Sequence, residues 1–330
     1  MSEMKLPVSN HSKSLKKSPK RNSETSTKVK GWKVFRDQKQ LLFMSVPVML
    51  YIILFSYIPV WGWSMAFQDF KPAKAFRDQT WVGLKHFQFL FTDETFLRVL
   101  RNTLAMSMIN MVLGFVTAIV FAILLNEVRS KYFKKTVQTI SYLPHFLSWI
   151  IVTGLVANSL AINDGIVNVL LMKIGIIDNP IMWLNEGKYF WGIVGASHVW
   201  KEVGWNAIIY LAAITSISPE LYEAADIDGA NRYQKMMYIT IPGIKSIIII
   251  LLIMNLGWIL EAGFEVQYLL GNGLIVDWSE TIDIFVLKYG LRIGNYSLAT
   301  AAGIFKTIVS ITLIFAANTI AKRLGEERLI

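Results

Sequence analysis

The chain has 330 residues and a formal charge of +10; it is 54% hydrophobic and 17% charged, with a mean hydropathy of +0.44. That is too apolar for an ordinary soluble domain, and runs of about 20 apolar residues, the length that crosses a bilayer, account for it. The lack of cysteine excludes a disulfide framework and any thiolate nucleophile or metal ligand.

Residues 1–39 are rich in Lys, Ser, Asn and Thr, with Glu3, Glu24 and Asp37 as their only acids. They read as a disordered basic tail, an anchor of topology beside anionic lipid. The tail holds much of the positive charge, and the rest of the chain presents no basic binding face, so nucleic acid is not an expected partner. Residues 41–63 form the first predicted span, too long and too late in the chain for a cleaved signal peptide. Residues 64–102 read as an aromatic-rich polar loop. Residues 103–125 form the second span, followed by a short basic loop over 126–135. The third, 140–161, contains Pro144, which must kink or break it. Residues 162–189 form a loop whose apolar stretch 165–177 is too short to span and suits the interface or a cavity mouth.

The fourth span, 190–214, carries Lys201 and Glu202 near its middle. Charges at that depth are costly, so they should face protein or water. The two point about 100° apart on a helix and need not pair with each other. A polar island, 215–243, follows. Ser218 suits an N-cap, Pro219 the first helical position and Gly229 the end of the helix. Leu221, Ala224, Ala225 and Asp228 then share one shallow face. Span five, 244–264, contains Asn255 and Glu261. In the outer loop 265–297, a short surface helix is predicted over 281–291. Span six, 298–321, contains Lys306.

Six spans place both termini on one side. With that side cytoplasmic, inner segments hold 20 Lys and Arg and outer loops 10, as the positive-inside rule requires. The tail decides this count.

Glu223-Ala224-Ala225, with Gly229 and Ile241-Pro242 following, resembles the EAA loop of importer-type ABC permeases. The resemblance implies coupling helices that dock on a cytosolic ATPase dimer. Leu221, Glu223, Ala224, Ala225, Asp228, Gly229 and Pro242 are its coupling residues, with Glu223 meeting a basic residue and Pro242 stopping the second segment before span five. Tyr57-Ile-Pro-Val-Trp-Gly, Ala66-Phe-Gln-Asp-Phe-Lys-Pro and Trp81-Val-Gly-Leu-Lys-His-Phe are similar to the opening of the LplB-type carbohydrate permeases. Asn255-Leu-Gly-Trp-Ile-Leu-Glu-Ala-Gly-Phe-Glu-Val, Gly290-Leu291 and Tyr296-Ser-Leu-Ala-Thr-Ala-Ala-Gly-Ile-Phe-Lys are similar to their C-terminal part. Together the similarity covers roughly residues 40–330. It implies an all-α integral membrane protein of six transmembrane helices with the MetI-like permease fold. It also implies a second homologous permease, an extracellular solute-binding protein and an oligosaccharide substrate, in a bacterial cell membrane. On this reading 1–39 is a cytoplasmic tail, 40–101 the first helix and extracellular loop, 102–322 the permease domain and 323–330 a second cytoplasmic tail.

Stacking on sugar rings and bonding of hydroxyls call for aromatic and polar residues inside spans. Trp200, Lys201, Glu202, Trp205 and Asn206 on span four qualify, as do Asn255, Trp258, Glu261 and Glu265 around span five. Each also has a plainer role open to it, in an interface belt or between helices. No nucleotide-binding Gly-x-x-x-x-Gly-Lys-Ser/Thr stretch occurs, and His11, His86, His145 and His198 lack metal-ligand spacing, so neither an enzyme nor a cofactor or metal site is expected. Two other readings stay open: an ABC permease for a non-sugar solute, and an ion-coupled secondary transporter, which would leave the EAA loop unexplained.

Overall fold

Asp93 begins the long helix around which the core packs. Its carboxylate accepts a hydrogen bond from Phe96 N (3.0 Å), an N-cap that starts α3, Glu94–Glu127, nine residues ahead of the predicted second span. In this computed structural model the described residues are 39–323; the basic tail assigned to 1–39 lies almost wholly outside them, and the second tail begins at their end. They fall into two units, divided between Val60 and Trp61. The first contains α1, Lys39–Ile52, which passes into a π-turn, Ile53–Tyr57. The second begins within the 3-10 helix Ile58–Phe67.

The aromatic loop after it is more ordered than expected. Strands β1, Gln68–Asp69, and β2, Thr80–Trp81, pair antiparallel. Helix α2, Lys85–Thr92, follows. The Gln79 side chain closes the loop through Lys71 N, Lys71 O and Lys74 O. Ser297 ties it to the last helix, donating to Gln68 O (2.6 Å) and accepting from Phe70 N (3.0 Å).

Helix α3 shows two faces. Leu104, Met108, Val112, Val116, Val120 and Leu124 recur every four residues and are all exposed, a stripe suited to lipid. Its other face is rich in small residues and packs on α7, Gly187–Thr215. There Ala118 and Ala122 meet Ala207, Tyr210 and Ile214. Gly195 comes so close to Ile109 that an added Cβ would lie 2.6 Å from its Cγ2.

Proline governs span three. Helix α4, Lys131–Tyr142, takes in the second half of the predicted basic loop. A 3-10 turn at Leu143–Phe146 carries Pro144, and α5, Trp149–Ser159, leaves it at 103°. Helix α6, Ile166–Lys173, follows. Span five is also broken. Helix α8, Pro219–Ile227, is followed by α9, Arg232–Lys235, a π-turn at Met236–Thr240 and α10, Ile241–Gly243. Helix α11, Lys245–Leu256, then departs at 58°. The second segment thus runs past Pro242 to Gly243. The proline sits at the start of a new helical turn, where its missing N–H costs little, and the π-turn before it absorbs the mismatch.

Regular helix stops at Leu256, well short of the predicted end of span five. Turns and irregular backbone occupy 257–263, and Gly263 adopts φ +90°, a conformation open to glycine. Helices α12, Phe264–Leu270, and α13, Val276–Ser279, come next. Helix α14, Ile282–Leu287, continues as a π-turn to Arg292. The predicted surface helix over 281–291 is therefore real, but Ile282 and Phe285 are fully buried, with Phe96 packed edge-on against Phe285. The last helix, α15, is Tyr296–Arg323.

By length and composition, three helical runs in the described residues can cross a membrane: 39–67, α3 and α15. The two bent pairs raise the number to five. The remaining predicted span is α7, whose 29 residues reach about 43 Å but whose polar middle leaves it less apolar than the others.

Candidate functional site

The interrupted stretch 257–263 lines a cavity of about 330 Å³ that it shares with α3, α5, α7 and α11. Non-helical backbone at membrane depth is tolerated where it borders such a space. Five of the sequence-predicted pathway residues meet here: Glu202, Asn206, Asn255, Trp258 and Glu261. Asn255 donates to Leu251 O (2.8 Å), which leaves its side-chain oxygen for other partners.

Lys201 does not line the cavity. It is 5% exposed and donates to His145 O (2.6 Å), with Glu202 Oε1 at 3.1 Å. The adjacent charges do pair, although their angular separation did not require it. Glu202 Oε2 accepts from His145 Nδ1 (2.7 Å), so this ionic cluster fastens the Pro144 turn to α7. His145 also stacks on Trp205, with ring centroids 4.3 Å apart and planes 1° from parallel. Trp205 thus supports the turn, and Trp200, half exposed on the same helix, stands outside the cavity as well.

Glu265 belongs to a second cavity, of about 760 Å³, between the 261–265 stretch, α14 and α15. Glu261 and Gly263 line both spaces. Lys306 on α15 projects into the second and binds Asp283 Oδ1 (2.7 Å) and Glu261 Oε1 (3.1 Å). A cation in a span is thus matched by two carboxylates.

Away from these cavities, the predicted coupling residues form a separate surface. Ser218 Oγ accepts from Glu220 N (3.3 Å), Pro219 opens α8, and Gly229 adopts φ +76° after it. Leu221, Glu223, Ala224 and Asp228 are exposed and Ala225 is half-buried. The helix is held from behind: Tyr222 Oη meets Thr240 Oγ1 (3.0 Å) and Lys235 binds Asp226 (2.6 Å). Asn231 and Gln234 close a reciprocal capping box that starts the next segment.

Residues 110–326 match the family described as the binding-protein-dependent transport system inner membrane component. The chain belongs to this family. It is 45% identical to the polygalacturonan/rhamnogalacturonan transport system permease protein YteP of Bacillus subtilis, over 88% of this chain and 90% of that protein. It is 38% identical to the protein LplB of the same organism, over 94% and 98%. A chain in the solved structure of a bacterial alginate ABC transporter, in complex with an alginate pentasaccharide-bound periplasmic protein, is 38% identical. It superposes with a TM-score of 0.83, covering 90% of this permease and 99% of that chain. The MetI-like fold, the multi-pass membrane location and the LplB-type resemblance expected from the sequence all hold.

Several cavity residues of this permease escaped the sequence reading. Ser107 and Asn110 on α3 face the cavity, and Ser107 Oγ and Asn110 Oδ1 are buried without a hydrogen-bond partner. Asn110 Nδ2 donates to Ala262 O (3.3 Å) in the interrupted stretch. Trp149 and His198 lie roughly parallel, 6.4 Å apart, on the cavity wall. A signal existed for the first two: Ser107, Asn110, Gly114 and Ala118 form a small and polar stripe at helical spacing along an otherwise apolar span.

Proposed function

We propose that this permease is one of two homologous membrane subunits of an ABC importer for oligosaccharides cut from polysaccharides. The observation that carries the reading is the makeup of the first cavity, where the indoles of Trp149 and Trp258 stand beside Asn110, Asn206, Asn255 and Glu202. Indole faces suit pyranose rings, and amides and carboxylates suit hydroxyl groups. The substrates in the names of similar proteins, polygalacturonan and alginate, support a saccharide cargo.

In this reading an extracellular binding protein delivers the sugar, and ATP is hydrolysed on a separate ATPase dimer. Both termini are cytoplasmic, in keeping with the Lys and Arg distribution. The face of Leu221, Ala224, Ala225 and Asp228 seats in the ATPase, and Glu223 makes a charge-assisted contact there, worth about 1.5–3 kcal/mol. Gly229 shapes the turn before the second segment, and Pro242 shapes the last turn of that segment. Purification from the native membrane in mild detergent tests this. A second permease and an ATPase should co-purify, and vesicles containing the complex and its binding protein should take up oligosaccharide only with ATP. A chain that purifies alone and moves solute on an ion gradient would contradict it.

A further inference from the structure

Helix α8 carries the face assigned above to the ATPase, yet it is mostly exposed, so its hold on the buried part of the chain must come through particular side chains. One tie to the second segment is the Lys235–Asp226 pair at 2.6 Å. Asp226 is 63% exposed, and an ion pair in such surroundings holds weakly. Another is Tyr222, on the half-buried side of α8, whose Oη meets Thr240 Oγ1 at 3.0 Å. Thr240 is only 3% exposed, so this tie ends in the core.

Thr240 stands where the chain enters that core. It closes the π-turn Met236–Thr240, a form found mostly as single turns within helices and frequently at functional sites. Ile244, four residues on, is fully buried and clusters with Ala118 and Ala122 of α3 and Ala207 and Tyr210 of α7. Helix α11 begins at Lys245, and its Leu251 and Asn255 line the first cavity. Tyr222 thus bonds an exposed helix to the root of a helix that walls the cavity, and contiguous packed elements of this kind can carry a displacement.

We infer that Tyr222 is a positioning residue, the strut through which movement of α8 reaches α11. Its bond to Thr240 makes α8 and the π-turn move together; without it, α8 shifts with the ATPase while α11 stays in place. This rests on the importer reading above and deepens it by naming the side chain through which the exposed helix acts. Tyr222 works through Thr240 from behind the docking face, so its hydroxyl serves transmission rather than docking.

Tyr222→Phe removes one hydroxyl. In the complete reconstituted transporter, the ATPase should co-purify in wild-type amount, the melting temperature should hold and ATP hydrolysis should continue. Oligosaccharide taken up per ATP should fall at least fivefold. A merely structural role would lower the melting temperature or the yield of complex and leave that ratio alone. Thr240→Val removes the other hydroxyl, keeps the β-branched shape and should give the same loss; Thr240→Ser keeps the hydroxyl and should restore the ratio. Tyr222→Phe/Thr240→Val should be no worse than either single variant, because both cut one bond. A wild-type ratio in Tyr222→Phe, or losses that multiply in the double variant, would overturn the strut alone. So would loss of the ATPase from the Tyr222→Phe complex, which would place the hydroxyl in docking. Should Tyr222→Phe fail to fold, the contrast at Thr240 decides, and equal ratios for Val and Ser would overturn the strut. A wild-type complex without ATP-driven uptake would overturn the importer reading and the strut with it.

Discussion

Helix α8 and the interrupted stretch 257–263 are both short and set between apolar helices, yet they are built in opposite ways. Helix α8 is specified locally. Its cap, first-turn proline and terminal glycine lie within twelve residues, and its side-chain ties reach no further than Thr240. The stretch 257–263 keeps single backbone turns at Gly257, Trp258, Ile259 and Glu261, but side chains tie it to distant partners: Asn110 is 152 residues from Ala262 in sequence, and Glu261 is gripped by Lys306 on the last helix. A segment of the first kind can move as a rigid lever. One of the second kind can change partners.

If this contrast holds, substitutions at the ionic anchors of the membrane core should cost far more than those at the caps of the lever. The largest loss should follow Lys201→Met, which leaves Glu202 with His145 alone inside the protein; about 3 kcal/mol is expected, read as a lowered melting temperature of the detergent-solubilised protein. Next is Gly204→Ala. Its Cβ would lie 2.2 Å from the Ser141 carbonyl oxygen, a backbone atom that cannot turn aside, so the packing of α4 on α7 should loosen by about 1–3 kcal/mol. On the lever, Gly229→Ala forces a side chain into φ +76° and should cost about 1 kcal/mol. Ser218→Ala removes one cap bond and should cost about 1 kcal/mol or less. Hydrogen exchange of residues 219–227 would read the last two as faster local opening without a change in global melting. Equal effects at Ser218 and Lys201 would break the comparison.

The same contrast explains what could be read from the sequence. Ser218, Pro219 and Gly229 obey rules that act within a few residues, so the α8 boundaries were legible. Pro144 announced a break, though not its 103° size, which depends on the clasp of His145 by Lys201 and Glu202. The end of α11 at Leu256 was not legible, because the following residues remain apolar and nothing local stops a helix before Gly257. Within the cavity, Glu202, Asn206, Asn255, Trp258 and Glu261 were found as polar or aromatic residues in apolar runs. Lys201 and Trp205 satisfied the same rule and turned out to face protein, since composition cannot tell one side of a helix from another.

The central claim, that an exposed helix transmits the work of an ATPase to a cavity elsewhere in the chain, rests on Glu223. The most direct measurement is ATP-driven oligosaccharide uptake by the complete reconstituted transporter carrying Glu223→Ala. Because Glu223 is exposed, the account predicts an unchanged melting temperature with uptake reduced at least tenfold. Uptake at the wild-type rate by a correctly assembled variant would contradict it.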